Sequence, residues 1–133
     1  METHKLLERI AWAIADLWWS SEADYPWQVV CLPENIDNWD SHQLLQHYQY
    51  PLDSPVATTT LDSFLAIATA EHEWHSAAEK TEVQRYRELS QLLEANLENV
   101  RVYLVGEVEI DVYVLGYTCD RQIIGISTKT VET

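Results

Sequence analysis

The sequence predicts a mixed α/β (α+β) fold, with helices packed on a largely antiparallel sheet, and three observations predict it. Apolar residues recur at helical spacing over 3–19 and again from Ser76 to about Leu97. The last third of the chain is β-branched and alternating, as in Val108, Ile110, Val112 and Val114. Between two such runs, Thr118-Cys119-Asp120-Arg121 reads as a hairpin turn, so at least the last two strands pair antiparallel. Strands at both ends, with helices before and between them, bury their apolar faces best as stacked layers. The 133 residues suit one domain with a core of its own.

Taken in order, the first helix spans 3–19. Leu6, Leu7, Ile10, Ile14, Leu17 and Trp18 make its apolar stripe, and Thr3 is its expected N-cap. Trp12 and Trp19 fall on the other side, either packed under a loop or presented as a contact surface. Ser20 to Pro26 ends the helix in a short acidic loop, because proline cannot continue it. Trp27 to Leu32 reads as a strand closed by Pro33, with Cys31 as a small buried hydrophobe. Residues 33–60 are the least regular, with Pro33, Pro51 and Pro55 marking turns. Within them Asp40 or Ser41 caps a short helix through His42, Leu44, Leu45 and His47, and Val56 to Leu61 suits a strand.

Thr60 or Asp62 caps the next helix, with Leu61, Phe64, Leu65 and Ala68 inward. Glu71 to His75 forms an exposed acidic loop around Trp74. Ser76 and Glu79 have capping-box spacing and open a helix whose apolar face is Val83, Tyr86, Leu89, Leu93 and Leu97, with Asn99 to end it. Strands are expected at Arg101 to Val105, Ile110 to Tyr117 and Gln122 to Lys129. There is no internal repeat.

Charge narrows the partners. Asp and Glu number 22 against 8 Lys and Arg, a net charge of −14, which disfavours nucleic acid and anionic membranes. The excess either keeps the chain soluble or meets a basic partner. Cys31 and Cys119 are too few for a disulfide framework, so a cytoplasmic setting is expected. The start lacks a secretory pattern, and no apolar run approaches the roughly 20 residues that span a bilayer.

Catalytic motifs are missing. His72 and His75, with Glu71 and Glu73 beside them, lack the further ligands a zinc site needs, and His42 and His47 do not share a clear helix face. There is no G-x-S-x-G and no S-x-x-K. Gly106, Gly116 and Gly125 form no phosphate-cradling loop. Carboxylate pairs suitable for acid–base work exist in any acidic protein, and no motif selects one. The expectation is no enzyme, no cofactor and no metal of its own.

The stretch from Val105 to Thr133 carries a resemblance. Its Val105-Gly106-Glu107-Val108-Glu109-Ile110-Asp111-Val112-Tyr113-Val114 strand and its Gly125-Ile126-Ser127-Thr128-Lys129-Thr130-Val131-Glu132-Thr133 block resemble the nuclease A inhibitor family. The loop Ser21-Glu22-Ala23-Asp24-Tyr25-Pro26, the pair Glu73-Trp74 and the helix entry Asp62-Ser63-Phe64 resemble that family's segments, in the same order. The resemblance implies one inhibitor-like domain over 1–133 and a three-layer α/β/α sandwich similar to the pathogenesis-related type 1 fold. It also implies a cytoplasmic inhibitor of a basic, sugar-nonspecific DNA/RNA nuclease that holds one Mg²⁺, bound 1:1. The chain departs from the pattern in 33–60, in the turn Tyr117 to Arg121, and in Trp12, Trp18, Trp19 and Trp39.

The chemistry agrees with that implication. A cleft built for phosphates accepts carboxylates with the same charge-assisted geometry, and Mg²⁺ prefers oxygen ligands. The expected partner-binding residues are Glu22, Asp24, Glu73, Trp74, Glu132 and Thr133, with Glu22 and Thr133 reaching the partner's Mg²⁺. Thr133 would offer a hydroxyl and a carboxylate on a tip anchored by the β-branched run before it. The alternative is an acidic protein-binding module of the same fold whose target is another basic protein. The divergent 33–60 segment and the added tryptophans motivate it.

Overall fold

The computed structural model describes residues 2–32 and 39–132. Two expectations therefore lie outside the described residues: Pro33 as the close of a strand, and the placement of Thr133. The described elements run α1 (Thr3–Ile14), β1 (Trp18–Ser20), β2 (Asp24–Pro26), β3 (Gln28–Cys31), α2 (Ser41–His47), β4 (Val56–Thr59), α3 (Leu61–Thr69), α4 (Ala77–Asn96), β5 (Glu98–Val105), β6 (Glu109–Tyr117) and β7 (Ile123–Val131). Among the described residues the main sheet has five strands in the order β3-β7-β6-β5-β4, and every neighbouring pair is antiparallel. β1 and β2 pair separately as a short hairpin.

Both faces of the central strands are buried, by different partners. Alternation along β6 sends Ile110, Val112 and Val114 into a core with α1, α3 and α4, supplied by Leu6, Ile10, Leu61, Leu65, Leu89 and Leu93 among others. Tyr113 and Leu115 go to the opposite cluster, with Leu44 and Leu45 of α2, Tyr103 of β5 and Ile123 of β7. Hence β6 and β7 read as near-continuous apolar runs. Val108 departs from the expected face: it lies in the β5–β6 turn and is half exposed. That turn is set by Gly106, whose φ is +118° and whose N–H donates to the Pro55 carbonyl at 3.0 Å.

The caps follow local chemistry. Asp40 accepts from the Gln43 N–H at 2.9 Å, Thr60 accepts from Ser63, and Ser76 with Glu79 completes a reciprocal capping box. Thr3 is not a cap, however. Glu2 occupies the N-cap without a side-chain bond, and Thr3 is the first helical residue. α4 ends at a Leu97 C-cap, so Asn99 does not close it. Asn99 has φ +53° at the irregularity between Glu98 and Arg101 in β5. The hairpin turn after β6 is as expected: Thr118 N–H donates to Gln122 O at 2.8 Å, and Arg121 takes a positive φ.

The largest correction falls on the first helix. It stops at Ile14, not at residue 19, and Asp16 with φ +58° turns the chain into β1. Arg85 Nη2 secures that end, donating to the Ala13 and Ala15 carbonyls at 3.1 and 2.5 Å. Period-two alternation then replaces helical spacing, which exchanges the two tryptophans. Trp19 is buried, stacked on Phe64 at 4.6 Å and edge-on to Trp27 and Tyr86, whereas Trp18 is partly exposed. Trp12 is 83% exposed, so among the described residues no loop covers it. Cys31 is also exposed, because β3 is an edge strand and Cys31 lies on its outer side.

A single buried hydroxyl ties the hairpin to the helical layer. Tyr86 Oη donates to the Trp18 carbonyl at 2.6 Å and accepts from Trp27 Nε1 at 2.9 Å. Burial raises the Tyr86 pKa, so the phenol stays protonated. Tyr86→Phe leaves the Trp27 N–H and the Trp18 carbonyl without this partner. It is expected to cost about 1–3 kcal/mol in urea unfolding. A loss under about 0.5 kcal/mol, the range of neutral surface changes, would show that water replaces the hydroxyl freely.

Candidate functional site

Several acidic segments that are distant in sequence meet at one end of the sheet, where β5 finishes, β6 begins and β7 finishes. The β1–β2 turn is clamped to it. Glu22 N–H donates to the Val131 carbonyl at 3.3 Å, and Val131 N–H donates to Ser21 Oγ at 2.9 Å. Ser21 Oγ in turn donates to the Ala23 carbonyl at 2.9 Å, which holds the turn closed. The next residue of the C-terminal run is fixed as well: Glu132 N–H donates to the Val108 carbonyl at 2.9 Å. Glu22 and Glu132 are therefore neighbours on an exposed edge, and Asp24 is exposed two residues beyond Glu22.

Glu107 and Glu109 belong to the same edge, although sequence reasoning left them out. They flank Val108 in the turn that receives Glu132, and both are exposed. The available signal was the Gly106 turn, which places acidic residues at the mouth of a hairpin whose other strand ends in Glu132. The carboxylates share an edge without converging. Among the described residues, no group of three or more His, Cys, Asp or Glu could hold a metal ion.

Glu73 and Trp74 lie in the α3–α4 loop rather than on the sheet. Arg87 secures its start, donating to the Thr69 carbonyl at 2.9 Å and pairing with Glu71 at 3.8 Å. His72 and Trp74 stack at 4.2 Å, with His75 edge-on to both rings, and His75 Nδ1 accepts from the His72 N–H. Those histidines thus shape the loop. Trp74 remains 77% exposed, which favours a contact surface over a core role. The loop faces the hairpin across a shallow groove whose walls include Trp18, Ser20, His75 and Glu79. The structure so brings Glu22, Asp24 and Glu132 to one edge, while Glu73 and Trp74 belong to a separate loop and immediately precede His75 of the groove.

At the capping box, hydrogen bonds from Ser76 hold the Glu79 carboxyl below its usual pKa. Its contribution to the helix is present above the ordinary glutamate pKa and lost as pH falls through the lowered one. Glu79 therefore stays ionised at neutral pH.

Converging polar groups also occur on the sheet's other face, where they form one hydrogen-bonded network. Tyr50 Oη donates to Asp111 Oδ2 at 2.6 Å and lies 2.6 Å from the Tyr113 hydroxyl, while Tyr48 stacks on Tyr113 at 4.8 Å. Asp111 also pairs with Lys129 at 3.9 Å. Burial, then the Asp111 hydrogen bond, pushes the Tyr50 pKa far up, so the phenol is locked as a donor and is unsuited to act as a base. The network pins the segment after α2 to the sheet.

Comparison with known proteins adds one finding. A family model described as nuclease A inhibitor-like protein matches residues 4–133. No curated protein matches the chain. No helix among the described residues is long and apolar enough to cross a membrane.

Proposed function

The chain belongs to the nuclease A inhibitor-like family, and from that premise we propose that it inhibits a basic, sugar-nonspecific, Mg²⁺-dependent DNA/RNA nuclease by blocking the active site. The observation that carries the reading is the exposed edge on which Glu22 and Glu132 are neighbours through the Val131 main chain. Carboxylates held there by main-chain bonds lose little freedom on docking. They suit a cleft whose arginines and Mg²⁺ await phosphate oxygens. Glu22 and Thr133, which follows Glu132, are assigned to the partner's metal, and Asp24 with Glu107 and Glu109 to the basic rim. Glu73 and Trp74 form a second contact. The complex is 1:1, forms in the cytoplasm, and uses one domain folded as a three-layer sandwich of the pathogenesis-related type 1 kind. The inhibitor needs no cofactor and catalyses nothing.

A bound single-stranded oligonucleotide should compete with the protein for the nuclease. Calorimetric titration tests this, and an unchanged affinity in saturating oligonucleotide would place the contact outside the active site. Trp74→Ala is expected to weaken binding by about 2 kcal/mol if the ring is an anchor. Because the ring is exposed, unfolding free energy should move by no more than about 0.5 kcal/mol. Full affinity in this variant would remove Trp74 from the interface.

A further inference from the structure

The groove between the β1–β2 hairpin and the α3–α4 loop has a chemistry of its own. Trp18, Ile67, Ala68 and Val83 line it on the apolar side, and Glu79 and Glu82 line it on the acidic side. Ile67 is 81% exposed and Trp18 46%, large apolar surfaces that no element of the chain covers among the described residues. Its volume is about 260 Å³, room for one long side chain rather than a helix. An apolar floor under carboxylates is complementary to a side chain with a hydrocarbon stem and a cationic head. An exposed indole adds attraction for the same head.

We infer that this groove is a specificity pocket for a single arginine or lysine of the partner nuclease, seated beside the acidic edge. The inference rests on the inhibitory function proposed above. Two observations direct it to that partner. The groove is continuous with both proposed contacts, since Ser20 leads into the Glu22 turn and His75 follows Trp74 directly. Its charge is also complementary to a basic surface, in a chain of net charge −14. The acidic edge matches features that any nuclease of this kind must carry, its phosphate and metal sites. A pocket for one side chain outside the active site can discriminate between such nucleases.

The experiment compares the parent with Glu82→Gln, Ile67→Ser and, as a control of equal charge change, Glu94→Gln at the other end of α4. Ile67 and Glu82 are exposed, so all three variants should melt with the parent; melting curves check this. Dissociation constants are measured against a nuclease that the parent inhibits. Glu82→Gln and Ile67→Ser should each weaken binding about tenfold, with Glu94→Gln unchanged. Parent-like binding by both groove variants, with inhibition intact, overturns the pocket and leaves the function standing. Equal weakening by Glu94→Gln also overturns it, because the effect would then be general charge. In a second arm, N-acetyl-arginine amide is titrated into the free protein while the Trp18 indole resonance is followed. A saturable shift, lost in Glu82→Gln, supports the pocket without the nuclease, and absence of a shift at tens of millimolar overturns it. If the parent inhibits no nuclease, the function fails and the pocket's assigned partner fails with it, whatever the second arm reads.

Discussion

Glu22→Lys is expected to weaken nuclease binding by at least about 100-fold, on the order of 3 kcal/mol. On the proposed mechanism the carboxylate faces a basic cleft, so lysine there would remove an attraction and add a repulsion. Glu132→Lys should act in the same direction. Since Glu22 is bonded to Val131 and Glu132 directly follows Val131 in the chain, their effects should be non-additive by about 0.5–3 kcal/mol. Both side chains are exposed, and both anchoring bonds are main-chain bonds that lysine preserves. The fold should survive, as checked by thermal unfolding. Inhibition equal to the parent's in the double variant would dismiss the acidic edge as the binding surface.

Gly125→Ala is expected to have the largest effect on the fold. Gly125 sits in β7 opposite Leu115 of β6 and Val30 of β3. A Cβ there would lie 1.7 Å from the Val114 carbonyl oxygen and 2.8 Å from its carbon. These are backbone atoms of the adjoining strand, so no side chain can swing away. The strands must separate, at a cost of about 3 kcal/mol or more. Gly116→Ala should be milder, because its Cβ first meets the Leu97 Cβ at 2.9 Å and a Val100 methyl at 3.1 Å. Urea unfolding of both variants checks the order. A Gly125→Ala protein as stable as the parent would contradict the pairing of β6 with β7.

The parts of this fold legible in the sequence are those set by short-range chemistry. Ser76 and Glu79 announced α4, and Val83 through Leu97 gave its buried face. Thr118 to Arg121 announced the last hairpin. Trp18 and Trp19 were misread because helical spacing continues through Leu17 and Trp18. The helix is stopped by Asp16 in a left-handed conformation, with no glycine or proline to mark it. Burial on the edge strand was misjudged at Cys31 because a strand pattern does not say whether a neighbour covers the strand. For the site, the sequence marked Glu22, Asp24, Glu73, Trp74 and Glu132 as separate segments. Only the pairing of Glu109 with Val131, and of the Ser21–Glu22 turn with Val131, makes three of them one edge. Glu107 and Glu109 were missed for the same reason: their neighbour in space is the end of β7.

On the proposed mechanism, this acidic edge occupies a nuclease active site. The most direct measurement is a titration of DNA cleavage by Mg²⁺-dependent, sugar-nonspecific nucleases of the expected type, with the enzyme held well above the dissociation constant. The predicted result for a cognate nuclease is a linear fall in activity that reaches zero at one equivalent. Undiminished cleavage by the whole panel at large excess of the protein would contradict it.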